Sequence, residues 1–304
     1  MHKRYCLLIL LLFLSLYGYA SIPPVDTIAL WKGENIRFGK EVSLYAYKPE
    51  QPNGISIIVC PGGSYYWHDK ENEGELVAEW LRSKGITAFV LTYRVAGAAE
   101  IAFHTRLIFR GKRHPDMITD AQRALQYVQE HAQEYQLDST RIGMMGFSAG
   151  GHLVMSAACF SSTNFLQLSG IETNVNLRPA FVAAVYPVVT MHPPYVHKRS
   201  RRGLLGDSWV GRKSMRDSLS LERHIPDNCP PVFLINCVDD PIVQYQNSVL
   251  LDSALTQKGV PHEYLQYQEG KHGFGASDYY GSQECREWRN EFLRWLEAIY
   301  PCSL

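Results

Sequence analysis

Three side chains far apart in this sequence have the types needed to pass a proton to one another: a serine, an aspartate and a histidine. The serine is Ser148, inside Gly146-Phe147-Ser148-Ala149-Gly150. This is the G-x-S-x-G pattern of a strand that reverses into a helix so sharply that the central hydroxyl stands clear of the backbone. Glycine is required two residues either side because a Cβ there would meet the reversed chain. At ordinary Gly and Ser usage the pattern arises by chance in roughly one chain in ten of this length, so its partners must decide.

A serine hydroxyl is a poor nucleophile until a base takes its proton and a third group orients that base. The candidate base is His272, in Glu269-Gly270-Lys271-His272-Gly273-Phe274-Gly275, where glycines let the loop fold back. The candidate acid is Asp240, just past the apolar run Val232–Cys237, with Asp239 as its rival. The order Ser148, Asp240, His272 is that of an α/β-hydrolase. Charge developing on a substrate oxygen also needs two backbone N–H donors. Ala149 follows the serine and supplies one, and Gly63 in Pro61-Gly62-Gly63-Ser64-Tyr65 is the expected second, with Ser64 as its neighbour or alternative. Tyr65, Tyr66, Trp67 and His68 follow at once. Tyr65 and Trp67 are expected to stack on a substrate group, or else to be packing.

Other features suggest less chemistry. His152, one helical turn beyond Ser148, reads as structural. The histidines are otherwise scattered, with no His-Glu-x-x-His and no C-x-x-C, so no metal and no cofactor is implied. Lys198, Arg199, Arg201 and Arg202 form a basic run that is either solvated or a contact for acidic polysaccharide.

The elements that must position these groups alternate between strand and helix, the signature of an α/β fold with a mostly parallel central sheet flanked by helices. Strands are expected at 42–47, 55–60, 87–93, 142–147, 181–188, 232–237 and 264–267. The turn-rich segment Pro49–Gly54 suggests that the first two form an antiparallel hairpin. Helices are expected at 74–84, ended by Gly85, and after Ser148, with Leu153, Val154, Ala157 and Ala158 facing inward. A long helix opens at Pro115, with Asp116 and Asp120 at its positive end, and an amphipathic helix carrying Trp288, Phe292 and Trp295 closes the chain. Two long polar stretches, 96–114 and 191–228, read as loops inserted beside the site.

The 304 residues are 46% hydrophobic, enough for one large domain, and Lys plus Arg equals Asp plus Glu at 30 each. That balance points to neither nucleic acid nor an anionic membrane surface. His2, Lys3 and Arg4, then Leu7–Leu16, then Gly18-Tyr19-Ala20 read as a signal peptide over residues 1–20, the alternative being a membrane anchor. Export to the periplasm or the medium is the expectation, with a single domain over 21–304 and no membrane contact after cleavage. Cys6 precedes the apolar stretch and is no lipid acceptor. Cys60, Cys159 and Cys237 lie in apolar runs as buried thiols, and Cys285 with Cys302 is the one pair worth testing as a disulfide.

The chain resembles the secreted bacterial esterases of the α/β-hydrolase superfamily, the acetyl-xylan-esterase-like branch near the hormone-sensitive lipases. The resemblance runs from about Val42 onward. It rests on Cys60-Pro61-Gly62-Gly63, Leu91-Thr92-Tyr93-Arg94, Asp120-Ala121-Gln122-Arg123-Ala124, Gly146–Leu153, Asp240 with its apolar flanks, and His272-Gly273-Phe274-Gly275. Ser64 departs from the third glycine frequent in such relatives, and Gln244 from a proline. The resemblance implies deacetylation of a plant polysaccharide or oligosaccharide through an acyl-enzyme, on a small ester or acetylated saccharide. Alternatives are a serine peptidase of the prolyl-oligopeptidase type, for whose extra propeller the chain has no room, a lipase, and a non-catalytic carbohydrate-binding protein of the same fold.

Overall fold

A computed structural model describes residues 26–97, 100 and 112–301. The expected leader and Cys302 lie outside the described residues, as does most of the 96–114 stretch.

Eight strands form one sheet: β1 (Asp26–Ala29), β2 (Ser43–Tyr47), β3 (Ser56–Cys60), β4 (Thr87–Thr92), β5 (Ile142–Phe147), β6 (Val182–Val185), β7 (Val232–Cys237) and β8 (His262–Tyr267). Their order is β1-β2-β4-β3-β5-β6-β7-β8. β1 and β2 run antiparallel to their neighbours, and everything from β4 to β8 is parallel. The hairpin expected between β2 and β3 does not form. β4 lies between them, pairing antiparallel with β2 and parallel with β3. The turn signal at Pro49–Gly54 is real, but it carries the chain across a strand position that β4 later fills. β1, which pairs with β2, has a mostly exposed burial pattern and left no period-2 signal to read.

Side chains alternate across the sheet. Ile58, Cys60, Val232 and Leu234 face a core shared with the helices Asp116–Glu130, Ala149–Cys159 and Gln246–Gln257. Ile57, Val59, Phe233 and Ile235 face the opposite core, closed by the helices Leu76–Ser83 and Trp288–Ile299. Both layers explain why the central strands read as unbroken apolar runs. The helix Ala149–Cys159 is buried on every side rather than on one face, because helix Asp116–Glu130 and the turn Leu221–Arg223 cover its outer surface.

The 191–228 stretch is not loop throughout. It holds the helices Lys198–Leu205 and Lys213–Ser218 and that short turn. Gly203 lets the first of these press onto the turn after β3: a Cβ there would lie 2.4 Å from the Ser64 carbonyl oxygen. Asp120 also differs from expectation. It is fully buried and takes Arg94 Nη2 at 2.8 Å, Arg94 N–H at 2.8 Å and Trp31 Nε1 at 2.8 Å. It therefore pins the end of β4 to the long helix rather than decorating a helix dipole. Tyr93, next to Arg94, donates its hydroxyl to the Pro61 carbonyl at 2.7 Å and so braces the loop after β3.

Candidate active site

Every candidate residue leaves the sheet at the carboxyl end of a parallel strand, where open α/β sheets hold their ligands. Ser148 follows β5 with φ 54° and ψ −115°, a conformation a non-glycine residue adopts only under constraint. The constraint is visible on both sides. A Cβ on Gly146 would sit 2.2 Å from the Gly150 carbonyl oxygen, and one on Gly150 would sit 1.9 Å from that of Cys60. Ser148 N–H donates to the Val185 carbonyl at 3.0 Å, which locks the turn to β6.

His272 Nε2 lies 3.0 Å from Ser148 Oγ, and His272 Nδ1 lies 2.6 Å from Asp240 Oδ2. With the carboxylate accepting at Nδ1, the neutral ring carries its proton there and leaves Nε2 free to accept from the serine. The other oxygen of Asp240 accepts from the N–H groups of Ile242 and Val243 at 2.8 and 2.9 Å. The neighbouring Asp239 is separated cleanly from this contact. Its Oδ1 accepts from Gly270 and Lys271 N–H at 3.0 and 2.8 Å, holding the loop that presents His272.

The loop after β3 crosses directly over the serine, since a Cβ on Gly62 would lie 2.9 Å from Ser148 Cβ. Gly63 has φ 126°, and a Cβ there would lie 2.2 Å from the Trp67 carbonyl oxygen, so glycine is required. The N–H groups of Gly63, Ser64 and Ala149 donate to no acceptor among the described residues. Ala149 is the first residue of its helix, where such donors are free and the helix dipole is positive.

Two residues passed over in the sequence join this frame. Glu73 is buried, accepting from Gly62 N–H at 2.7 Å and from the Tyr186 hydroxyl at 2.8 Å. Tyr186 follows β6, and its oxygen in turn accepts from Gly275 N–H at 3.1 Å. Its ring lies 4.6 Å from that of His272. One carboxylate and one phenol thus tie the loop over the serine to the loop that carries the histidine. Burial pushes the Glu73 carboxyl up to about 7, against the opposing pull of His272 and of its two hydrogen bonds. Neither residue carried a sequence signal. Glu73 sits in an acidic run, Glu71-Asn72-Glu73-Gly74-Glu75, that reads as solvated surface, and Tyr186 lies inside the apolar run expected as a strand over 181–188.

Tyr65 is not available to a substrate. It is 0% exposed, and its hydroxyl meets His152 Nδ1 at 2.8 Å. The other nitrogen of His152 donates to the Leu219 carbonyl at 3.0 Å, and burial lowers this imidazole to about 4. His152 is therefore a neutral structural tie, as its position suggested. Trp67 is 39% exposed and carries the Arg199 guanidinium over its ring. Among the described residues no group of three or more His, Cys, Asp or Glu side chains is arranged to hold a metal ion. Cys285 Sγ lies 3.6 Å from Cys237 Sγ, both buried.

The chain resembles known proteins over most of its described length. An endo-1,4-β-xylanase B of Butyrivibrio fibrisolvens is 31% identical over 73% of this chain and 33% of its own. An acetylxylan esterase of Xylanibacter ruminicola is 26% identical over 87% of this chain and 50% of its own. The chain thus spans a third to a half of the length of these two relatives. Among solved structures, an acetyl ester-xyloside bifunctional hydrolase from Caldicellulosiruptor lactoaceticus superposes with a TM-score of 0.76 at 30% identity, covering 92% of this chain and 98% of that one. A Thermogutta terrifontis esterase shares the fold at 21% identity with a TM-score of 0.69. The fold is that of the α/β-hydrolases, and the BD-FAE family model matches residues 43–255. This chain belongs to the BD-FAE family.

Proposed function

We propose that this chain is a serine carboxylic-ester hydrolase that removes acetyl groups from plant polysaccharide or its fragments. The observation that carries the reading is the unbroken line of contacts from Asp240 through His272 to Ser148, at 2.6 and 3.0 Å. His272 Nε2 takes the hydroxyl proton as Ser148 Oγ bonds to the ester carbonyl carbon. The carbonyl oxygen becomes an anion held by the N–H groups of Ala149 and Gly63, with Ser64 the alternative donor. Collapse breaks the carbon–oxygen bond to the alcohol, which leaves with the proton from His272. Water then gives its proton to the same imidazole, attacks the acyl-enzyme and releases acetate, regenerating the serine. Asp240 keeps the ring in the productive tautomer and stabilises the imidazolium.

Acetylated saccharide as substrate is supported by the relatives named for acetylxylan and acetyl-ester hydrolysis. Export after removal of residues 1–20 belongs to the same reading, since such polymers lie outside the cell. Hydrolysis of p-nitrophenyl acetate and release of acetate from acetylated xylan are the direct tests. Ser148→Ala should abolish both. Retained activity in that variant overturns the assignment of the nucleophile.

A further inference from the structure

The helix Lys198–Leu205 is held hard against the substrate-side loop, because Gly203 brings its backbone onto Ser64. Arg199, one turn earlier on the same helix, is thereby set over that loop. Its Nε donates to Ser64 Oγ at 3.0 Å, and its guanidinium carbon lies 5.0 Å from the centre of the Trp67 ring. The indole holds the plane of the guanidinium by cation–π attraction and borders it with apolar surface. With Nε committed to Ser64, both terminal nitrogens remain uncommitted, and no carboxylate among the described residues pairs with Arg199.

Its neighbours do not neutralise it. Lys198 is exposed, Arg201 donates to the Met191 carbonyl, and only Arg202 has an acid, Asp207 at 2.6 Å. The helix therefore keeps an excess of positive charge at its start. His197 stands at the start of this helix with its Nδ1 2.7 Å from Ser200 Oγ, and burial first, then the nearby Arg199 guanidinium, lowers it to about 4.

We infer that Arg199 and Trp67 form a subsite for a carboxylate-bearing sugar, so that the preferred substrates are acetylated oligosaccharides carrying a uronic-acid unit near the ester. This rests on the ester-hydrolase reading above. A guanidinium with two free parallel N–H groups matches a carboxylate bidentately. Apolar indole beside it suits the carbon–hydrogen face of a pyranose. Placement next to Gly63 and Ser64 puts the anion a short distance from the scissile acetyl group.

The test compares kcat/KM for acetate release from two matched acetylated xylo-oligosaccharides, one with a uronic-acid branch and one without. The wild-type chain should favour the acidic substrate about fivefold to tenfold at low salt, and that ratio should shrink at high ionic strength. Arg199→Gln should bring the ratio close to one, Arg199→Lys should keep part of it, and Arg199→Glu should invert it. Comparing the ratio within each variant removes any general loss of activity. A wild-type ratio of one or below, or a ratio unchanged in Arg199→Gln, overturns the subsite. Failure of the wild-type chain to hydrolyse p-nitrophenyl acetate overturns the ester reading itself, whereas hydrolysis without acidic preference overturns only this inference.

Discussion

Replacing Glu73 by glutamine should make the protein more stable and the enzyme slower, with both effects following the same titration. The carboxyl is fully enclosed and is raised from 4.5 to about 7 by burial. A group whose folded value exceeds its unfolded one contributes stability that is intact below the unfolded value and is lost as pH rises through the folded value. A rise of this size corresponds to about 3 kcal/mol, lost across pH 4.5 to 7. Glutamine fits the same space without titrating. It can accept from Gly62 with its oxygen and donate to the Tyr186 oxygen with its nitrogen. The stability of Glu73→Gln relative to wild type should therefore climb by about 3 kcal/mol between pH 4 and pH 8, read by denaturant melts. Activity should move the other way. Glu73 touches the Tyr186 hydroxyl, whose ring packs on His272, and a unit charge acting across about 8 Å is worth about 2 kcal/mol at an effective dielectric of 20. Glu73→Gln should thus lower kcat on p-nitrophenyl acetate about ten- to thirtyfold at pH 8. The ratio of wild-type to variant activity should fall toward one below pH 7, as wild-type Glu73 takes up its proton. A stability difference that does not change with pH, or a kcat unaffected at pH 8, would refute this account of Glu73.

The aspartate doublet gives a second test: Asp240→Asn should reduce kcat on p-nitrophenyl acetate by about 10⁴-fold, while Asp239→Asn, which disturbs only the loop at Gly270 and Lys271, should cost far less. Asp120→Ala leaves the buried Arg94 with only the longer 3.4 Å ion pair to Asp116 and should destabilise the fold by about 3 kcal/mol in urea melts, without a matching loss of kcat in the fraction that remains folded. Gly63→Ala would force a Cβ into the Trp67 carbonyl and should abolish esterase activity while leaving far-UV circular dichroism close to wild type. Under mild oxidation, peptide mapping should recover Cys285 joined to Cys237, whose sulfurs are 3.6 Å apart; recovery of Cys285 joined to Cys302 would contradict the arrangement at β7.

What could be read from the sequence was whatever steric necessity or periodicity writes locally. Gly146, Ser148 and Gly150 announce their turn because no other residue type fits it. β5 and β7 fall where the apolar runs fall, since both faces of a central strand are buried. The failures share one cause, which is pairing at a distance. Nothing local says that β4 will come between β2 and β3, or that Asp120 will meet Arg94 rather than solvent. Tyr65 looked like a binding aromatic because its burial depends on His152, 87 residues away. Glu73 was invisible for the same reason: an acid in an acidic run is unremarkable until Gly62 and Tyr186 enclose it.

Three carboxylates at the carboxyl edge of the sheet divide the work of holding this site. Glu73 fixes the loop over the serine, Asp239 fixes the loop that presents the histidine, and Asp240 holds the histidine while its second oxygen anchors its own turn. Each accepts from backbone N–H groups, and such charge-assisted bonds are short and directional enough to keep loops in register. Enclosing an acid this completely has a cost, which surfaces in Glu73, raised by its burial. Tyr186 joins two of the three anchored loops, through Glu73 on one side and Gly275 on the other. Substitutions at Glu73 and Tyr186 should therefore be non-additive in kcat, because either one breaks the same bridge. Asp239 belongs to a separate anchor, so its effect should add to theirs. Additivity throughout would mean that the loops are held independently and that the bridge carries no coupling.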